Sequence, residues 1–189
     1  WPNIMLETVM DEHEVKQLND YAMTKWVNEM QIRNSAVMYG TQSVVVRLFN
    51  TYGPGEYYSP YRSVNCRFLY CALKGLPWTV FRGHARTSTY LADTCRTLAN
   101  ISDNFIAGET YNIGGDRLHT IEELSDVIIE VTDANPALVQ YRESEKLTTK
   151  TKIVDLTKEI RDLGHTNTYS LETGMRLTME WMRQAYRLR

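Results

Sequence analysis

Cysteine, proline and histidine are scarce in this 189-residue chain, and neither sign of charge prevails. Cys66, Cys71 and Cys95 form an odd set without Cys-x-x-Cys spacing, which argues against a disulfide framework or a zinc site. They read as three buried thiols of a reducing compartment. With no basic-then-apolar leader in view, the expected location is the cytoplasm. His13, His84, His119 and His165 are scattered without ligand-like spacing and read as surface or loop residues, so no metal is expected. A net charge of −2 leaves no basic footprint for nucleic acid. No apolar run approaches the ~20 residues that span a membrane. What is present, 43% hydrophobic and 23% charged residues, is the composition of a globular protein with one sizeable core.

Helical and strand patterns alternate along the chain, which predicts α/β architecture with parallel strands. Glu12 to Met38 reads as one long helix, with Gly40 as its stop. Ser43 to Phe49 is a β-branched run, read as a strand buried on both faces. Asn50-Thr-Tyr-Gly-Pro-Gly55 then breaks regular structure at the strand's C-terminal end, where ligands sit in open parallel sheets. Further helices are expected over Tyr61–Lys74, Asp93–Ser102, Leu156–Leu163 and Ser170–Tyr186. Strands are expected at Trp78–Phe81, Glu109–Ile113 and Leu138–Arg142. Thr120-Ile-Glu-Glu123 has the capping-box form and opens a helix to about Thr132.

Within the first helix, Tyr21 and Lys25 stand four residues apart, so phenol and ammonium share a face. A neighbouring cation favours the phenolate over the neutral phenol. A tyrosine so tuned can take the proton of a hydroxyl whose carbon is losing a hydride.

Five segments, in this order and spacing, resemble the C-terminal half of the extended short-chain dehydrogenase/reductases, specifically the nucleotide-sugar epimerases and dehydratases. They are Tyr21-Ala-Met-Thr-Lys25, Arg47-Leu-Phe-Asn-Thr-Tyr-Gly-Pro54, Gly83-His-Ala-Arg-Thr-Ser-Thr-Tyr90 with Asp93, Tyr111-Asn-Ile-Gly-Gly115 and Thr120-Ile-Glu-Glu-Leu124. The stretch from Asp155 to Leu163-Gly164-His165 is similar to that family's ending. The implied fold is a partial Rossmann-like parallel sheet plus a small α/β substrate-binding subdomain. Residues 1–60 would be the remainder of the Rossmann-like domain. Residues 61–189 would be mostly the substrate-binding subdomain, with about 86–113 returning to the sheet.

The resemblance implies that Tyr21 is the proton acceptor and Lys25 its electrostatic partner, the pair also meeting the NAD or NADP cofactor. Asn50 and Arg86 would contact a nucleoside-diphosphate sugar, the arginine through its diphosphate. Tyr58, in the crowd of Tyr57, Tyr58 and Tyr61, and Arg62 are further substrate-binding candidates. Lys146, Lys150 and Lys152 compete for one more basic contact, whereas Arg47 and Asn112 read as structural. A homodimer through the Tyr21/Lys25 helix is implied as well. The glycines never fall into the G-x-x-G-x-x-G spacing that cradles a dinucleotide pyrophosphate. Thr8 is too near Tyr21 for the family's catalytic Ser/Thr. The reading is therefore a substrate-side portion, inactive alone and marginally stable, of an NAD(P)-dependent epimerase or dehydratase. Alternatives are a 4-keto-sugar reductase, and a non-catalytic sugar-nucleotide-binding module or one part of a split enzyme.

Overall fold

The computed structural model describes residues 4–5, 19–143 and 149–188. In chain order the elements are β1 (Ile4–Met5), α1 (Asp20–Tyr39), β2 (Val45–Leu48), β3 (Thr51–Tyr52), α2 (Val64–Lys74), β4 (Trp78–Phe81), β5 (Ala85–Thr87) and β6 (Thr89–Tyr90). They continue with α3 (Leu91–Asp103), β7 (Thr110–Ile113), β8 (Leu118–Thr120), α4 (Ile121–Thr132), β9 (Val139–Arg142), β10 (Ile153–Val154), α5 (Thr157–Leu163) and α6 (Leu171–Ala185). The strands join in pairs, and parallel pairing dominates: β1 with β10, β2 with β7, β3 with β6 and β4 with β9. Among the described residues, only β5 and β8 run antiparallel. The architecture is mixed α/β.

The core lies where α2, α4 and α6 meet β4. Leu69, Leu124, Ile128, Met175 and Met182 are fully buried there beside Trp78 and Val80. The helices begin where the sequence supplies caps. Thr120 Oγ1 accepts the Glu123 N–H at 3.0 Å, and Ser170 Oγ accepts the Thr173 N–H at 3.1 Å. Gly174 lets α6 lie directly on Tyr52, since a Cβ there would overlap the phenol oxygen. No helix among the described residues is long and apolar enough to cross a membrane.

Four expectations need correction. Helix α1 starts at Asp20, not Glu12: Asn19 is extended (φ −154°, ψ 165°) and its side chain accepts the Ala22 N–H. Residues 12–18 lie outside the described residues. The Val-rich strand is not buried on both faces: Val45, Val46 and Arg47 are half-buried and Leu48 is 52% exposed, and among the described residues β2 pairs only with β7. Cys66 is buried, but Cys71 is half-buried and Cys95 exposed. His84, His119 and His165 are buried rather than on the surface. His13 lies outside the described residues.

The buried histidines tie distant segments together. Nε2–H of His165 donates to the Gly114 carbonyl at 2.9 Å. His119 Nδ1 faces the Thr120 carbonyl at 3.1 Å and must carry the proton there, so its Nε2 accepts from the Ser88 hydroxyl at 2.9 Å. Burial lowers the His119 pKa from its ordinary value. The unfolded chain therefore takes up this proton first as pH falls, and stability drops as pH descends below about 6.5, toward the lower folded value. His119→Gln should flatten that slope in urea melts run from pH 7.5 to 5. An unchanged slope would show that His119 does not set it.

Candidate active site

Helix α1 presents Tyr21, Lys25 and Glu29 at successive four-residue steps, one row of a single face. This row looks across a cavity of about 580 Å³ toward β2. Tyr21 is 72% exposed, and the Lys25 ammonium sits 5.4 Å from the centre of its ring. At that range the cation is attracted to the face of the ring.

The strand side of the cavity carries Arg47, the third residue of β2. Arg47 Nε and Nη2 donate to the two Glu29 oxygens at 2.8 and 2.7 Å, both side chains being mostly buried. This fork-to-carboxylate pair clamps the helix to the strand two turns beyond Tyr21.

The far wall comes from β5 and the segment beside it. The Ala85 N–H donates to the Lys150 carbonyl at 2.8 Å, and the Lys152 N–H to the Ala85 carbonyl at 3.2 Å. Arg86 reinforces that seam by donating to the carbonyls of Ala85, Lys150 and Thr149 at 2.7, 2.7 and 2.5 Å. As a result Arg86, Thr149 and Lys152 all line the cavity that Tyr21 and Lys25 line. Burial first, and the Arg86 charge second, lower the Lys152 pKa. Two cations held together with little solvent favour an anion between them.

A phenol with its cation at one wall and two further cations at the other suit a ligand with a hydroxyl end and an anionic end. The sequence profile described as the NAD dependent epimerase/dehydratase family matches residues 3–114. The chain belongs to the NAD-dependent epimerase/dehydratase family.

Named relatives of this epimerase/dehydratase-family chain include dTDP-glucose 4,6-dehydratase of Salmonella typhimurium, 29% identical over 85% of this chain and 46% of the relative. UDP-N-acetyl-alpha-D-glucosaminuronate decarboxylase of Bacillus cytotoxicus is 28% identical over 87% of this chain and 53% of the relative. Among solved structures, UDP-glucose 4-epimerase of Thermotoga maritima with UDP-glucose superimposes with a TM-score of 0.78 at 30% identity. That match covers 88% of this chain and 54% of the epimerase. The chain thus spans about half the length of the curated relatives it matches.

The other candidates of this family chain stand off the cavity lining. Asn50, at φ 42°, donates its amide N–H to the Thr87 carbonyl at 2.8 Å, tying the turn after β2 to β5. The Tyr58 ring stacks on Tyr70 at 4.0 Å, and its backbone N–H donates to the Tyr186 hydroxyl at 2.8 Å. Arg62 is exposed in the bend before α2, close enough to Cys66 for its charge to oppose the rise of that thiol's pKa. Asn112 is fully buried in β7. Of the three competing lysines, Lys152 lines the cavity, Lys150 is exposed and Lys146 lies outside the described residues. Thr8 lies outside them too. Sequence reasoning misses Glu29 as a site residue. Its position four residues beyond Lys25 is the signal that could have found it.

Proposed function

We propose that the protein carrying this chain is an NAD(P)-dependent epimerase or dehydratase of a nucleoside-diphosphate sugar. The supporting observation is that Tyr21, Lys25, Arg86 and Lys152 line one cavity. Tyr21 accepts the proton of the sugar hydroxyl being oxidised, and later returns a proton to the resulting ketone. Lys25 stabilises the charge left on the phenol oxygen. Arg86 and Lys152 face the diphosphate, whose negative charge relieves the repulsion between them.

The exposed Tyr21 and its neighbour Lys25 fit the nicotinamide-ribose end of the cofactor. No glycine-rich turn in this sequence fits its pyrophosphate. Bound there, NAD(P) would supply the hydride acceptor and donor. Epimerisation is the favoured outcome, with dehydration or 4-keto reduction as competitors. All three use the same proton relay through Tyr21 and differ in the fate of the keto-sugar. The relatives named above act on sugars carried by UDP or dTDP, which makes a nucleotide-linked hexose the substrate class to test.

A second reading is a sugar-nucleotide-binding part of a split enzyme, favoured by the glycine spacing. Incubating the intact protein and the purified chain separately with NAD and UDP-glucose, and monitoring absorbance at 340 nm and sugar products, separates the readings, since only the first expects turnover by the intact protein without a second polypeptide. The isolated chain should turn over nothing, whereas the intact protein should. Turnover by the chain alone would overturn the expectation that it is incomplete. A homodimer through α1 is part of the proposal: no residue of α1 is buried, and Val37, Met38 and Tyr39 are 87%, 69% and 73% exposed. Sedimentation velocity should report a dimer that Val37→Glu weakens. A monomer at all concentrations would contradict it.

A further inference from the structure

Lys25 stands midway between two attractors on its own helix face, the Tyr21 ring four residues before it and the Glu29 carboxylate four residues after it. Lysine and glutamate at that spacing ordinarily pair. Here the ammonium lies on the tyrosine side, 5.4 Å from the ring centre. Glu29 is engaged elsewhere, since both of its oxygens accept from the Arg47 guanidinium at 2.8 and 2.7 Å. Arg47 is mostly buried on β2, a strand fixed by four register positions to β7, so the guanidinium is held where the carboxylate meets it.

The geometry points to Arg47 as a positioning residue that neutralises Glu29 and so keeps the Lys25 ammonium on Tyr21. This rests on the reading of Tyr21 and Lys25 as the proton-transfer pair. It adds that the pair is maintained by a charge supplied from a different element, eighteen residues beyond Glu29. Without Arg47, the carboxylate competes for Lys25 and the phenol loses its cation. Without both Arg47 and Glu29, the competition disappears and Lys25 stays with Tyr21. A clamp that merely held α1 to β2 would behave otherwise, because losing either partner, or both, would break it equally.

The test reads Lys25 itself and needs no turnover. The full chain is treated with a limiting N-hydroxysuccinimide acetate at pH 8, and acetylation of Lys25 is quantified by peptide mass spectrometry against the exposed Lys74. Arg47→Met should slow Lys25 acetylation about twofold to fivefold, the range expected of a newly formed surface ion pair. Glu29→Gln should speed it, since a negative charge one helical turn from the ammonium is lost. The double variant should return to the rate of the unmodified chain. Slowing or speeding shared by all three variants would overturn the proposal, as would a double variant no closer to the unmodified rate than Arg47→Met. Circular dichroism checks each fold. Glu29→Gln keeps the side-chain shape, so its direction alone decides the matter if Arg47→Met fails to fold. Because the readout is independent of sugar-nucleotide binding, its failure leaves the reading of the cavity standing, and failure of that reading leaves this result interpretable.

Discussion

Replacing Tyr21 by phenylalanine should lower turnover of the intact protein by about 10²–10⁴-fold, the usual contribution of a positioned general base. The ring and its contact with Lys25 survive the change, so the site keeps its shape and loses only the oxygen that carries the proton. Binding of UDP-glucose should therefore stay within about twofold, and the loss should fall on kcat rather than KM. Steady-state kinetics with isothermal titration calorimetry check both halves of that expectation. A phenylalanine variant with normal kcat would remove Tyr21 from the chemistry.

The second large effect concerns stability. Asp93 in α3 is fully buried, and its Oδ2 accepts the backbone N–H groups of Thr168 and Tyr169 at 2.9 and 3.2 Å. Its Oδ1 accepts from Arg96 at 2.7 Å. Asp93→Ala strands two backbone donors between α5 and α6, and should cost about 3 kcal/mol. For a chain of this size that corresponds to about 6–12 °C in Tm. Asp93→Asn can keep an oxygen toward both N–H groups and loses mainly the pair with Arg96, whose side chain is 40% exposed. It should cost only about 1 kcal/mol. Equal losses for the two variants would show that the ion pair, rather than the backbone tether, is what matters.

Features carried by local residue chemistry were legible in the sequence. The Tyr21/Lys25 spacing needs only a helix, and Thr120 and Ser170 cap α4 and α6 because their hydroxyls accept a backbone N–H three residues on. Gly40, Gly75 and Gly164 end helices in the left-handed conformation that favours glycine. Features that depend on a partner far along the chain were not legible. His119 and His165 are buried because Ser88 and Gly114 reach them, and nothing in their flanking residues records that. The start of α1 turned on a local contest, in which the Asn19 side chain capped a helix whose apolar spacing pointed further back. That Lys152 lines the cavity depends on Ala85 bridging Thr151, a contact that no local pattern records. The Glu29–Arg47 pair joins elements whose charges, read separately, looked like ordinary polar positions.

The central claim is that a sugar nucleotide lies between the Tyr21/Lys25 face of α1 and the wall built by Arg86 and Lys152. Amide chemical-shift mapping of the ¹⁵N-labelled chain during a titration with UDP-glucose tests it most directly. The account predicts that the perturbed amides cluster at Tyr21 to Lys25, at Arg86 and at Thr149 to Lys152. Saturable shifts confined to other surfaces, or no shifts at millimolar ligand, would contradict it.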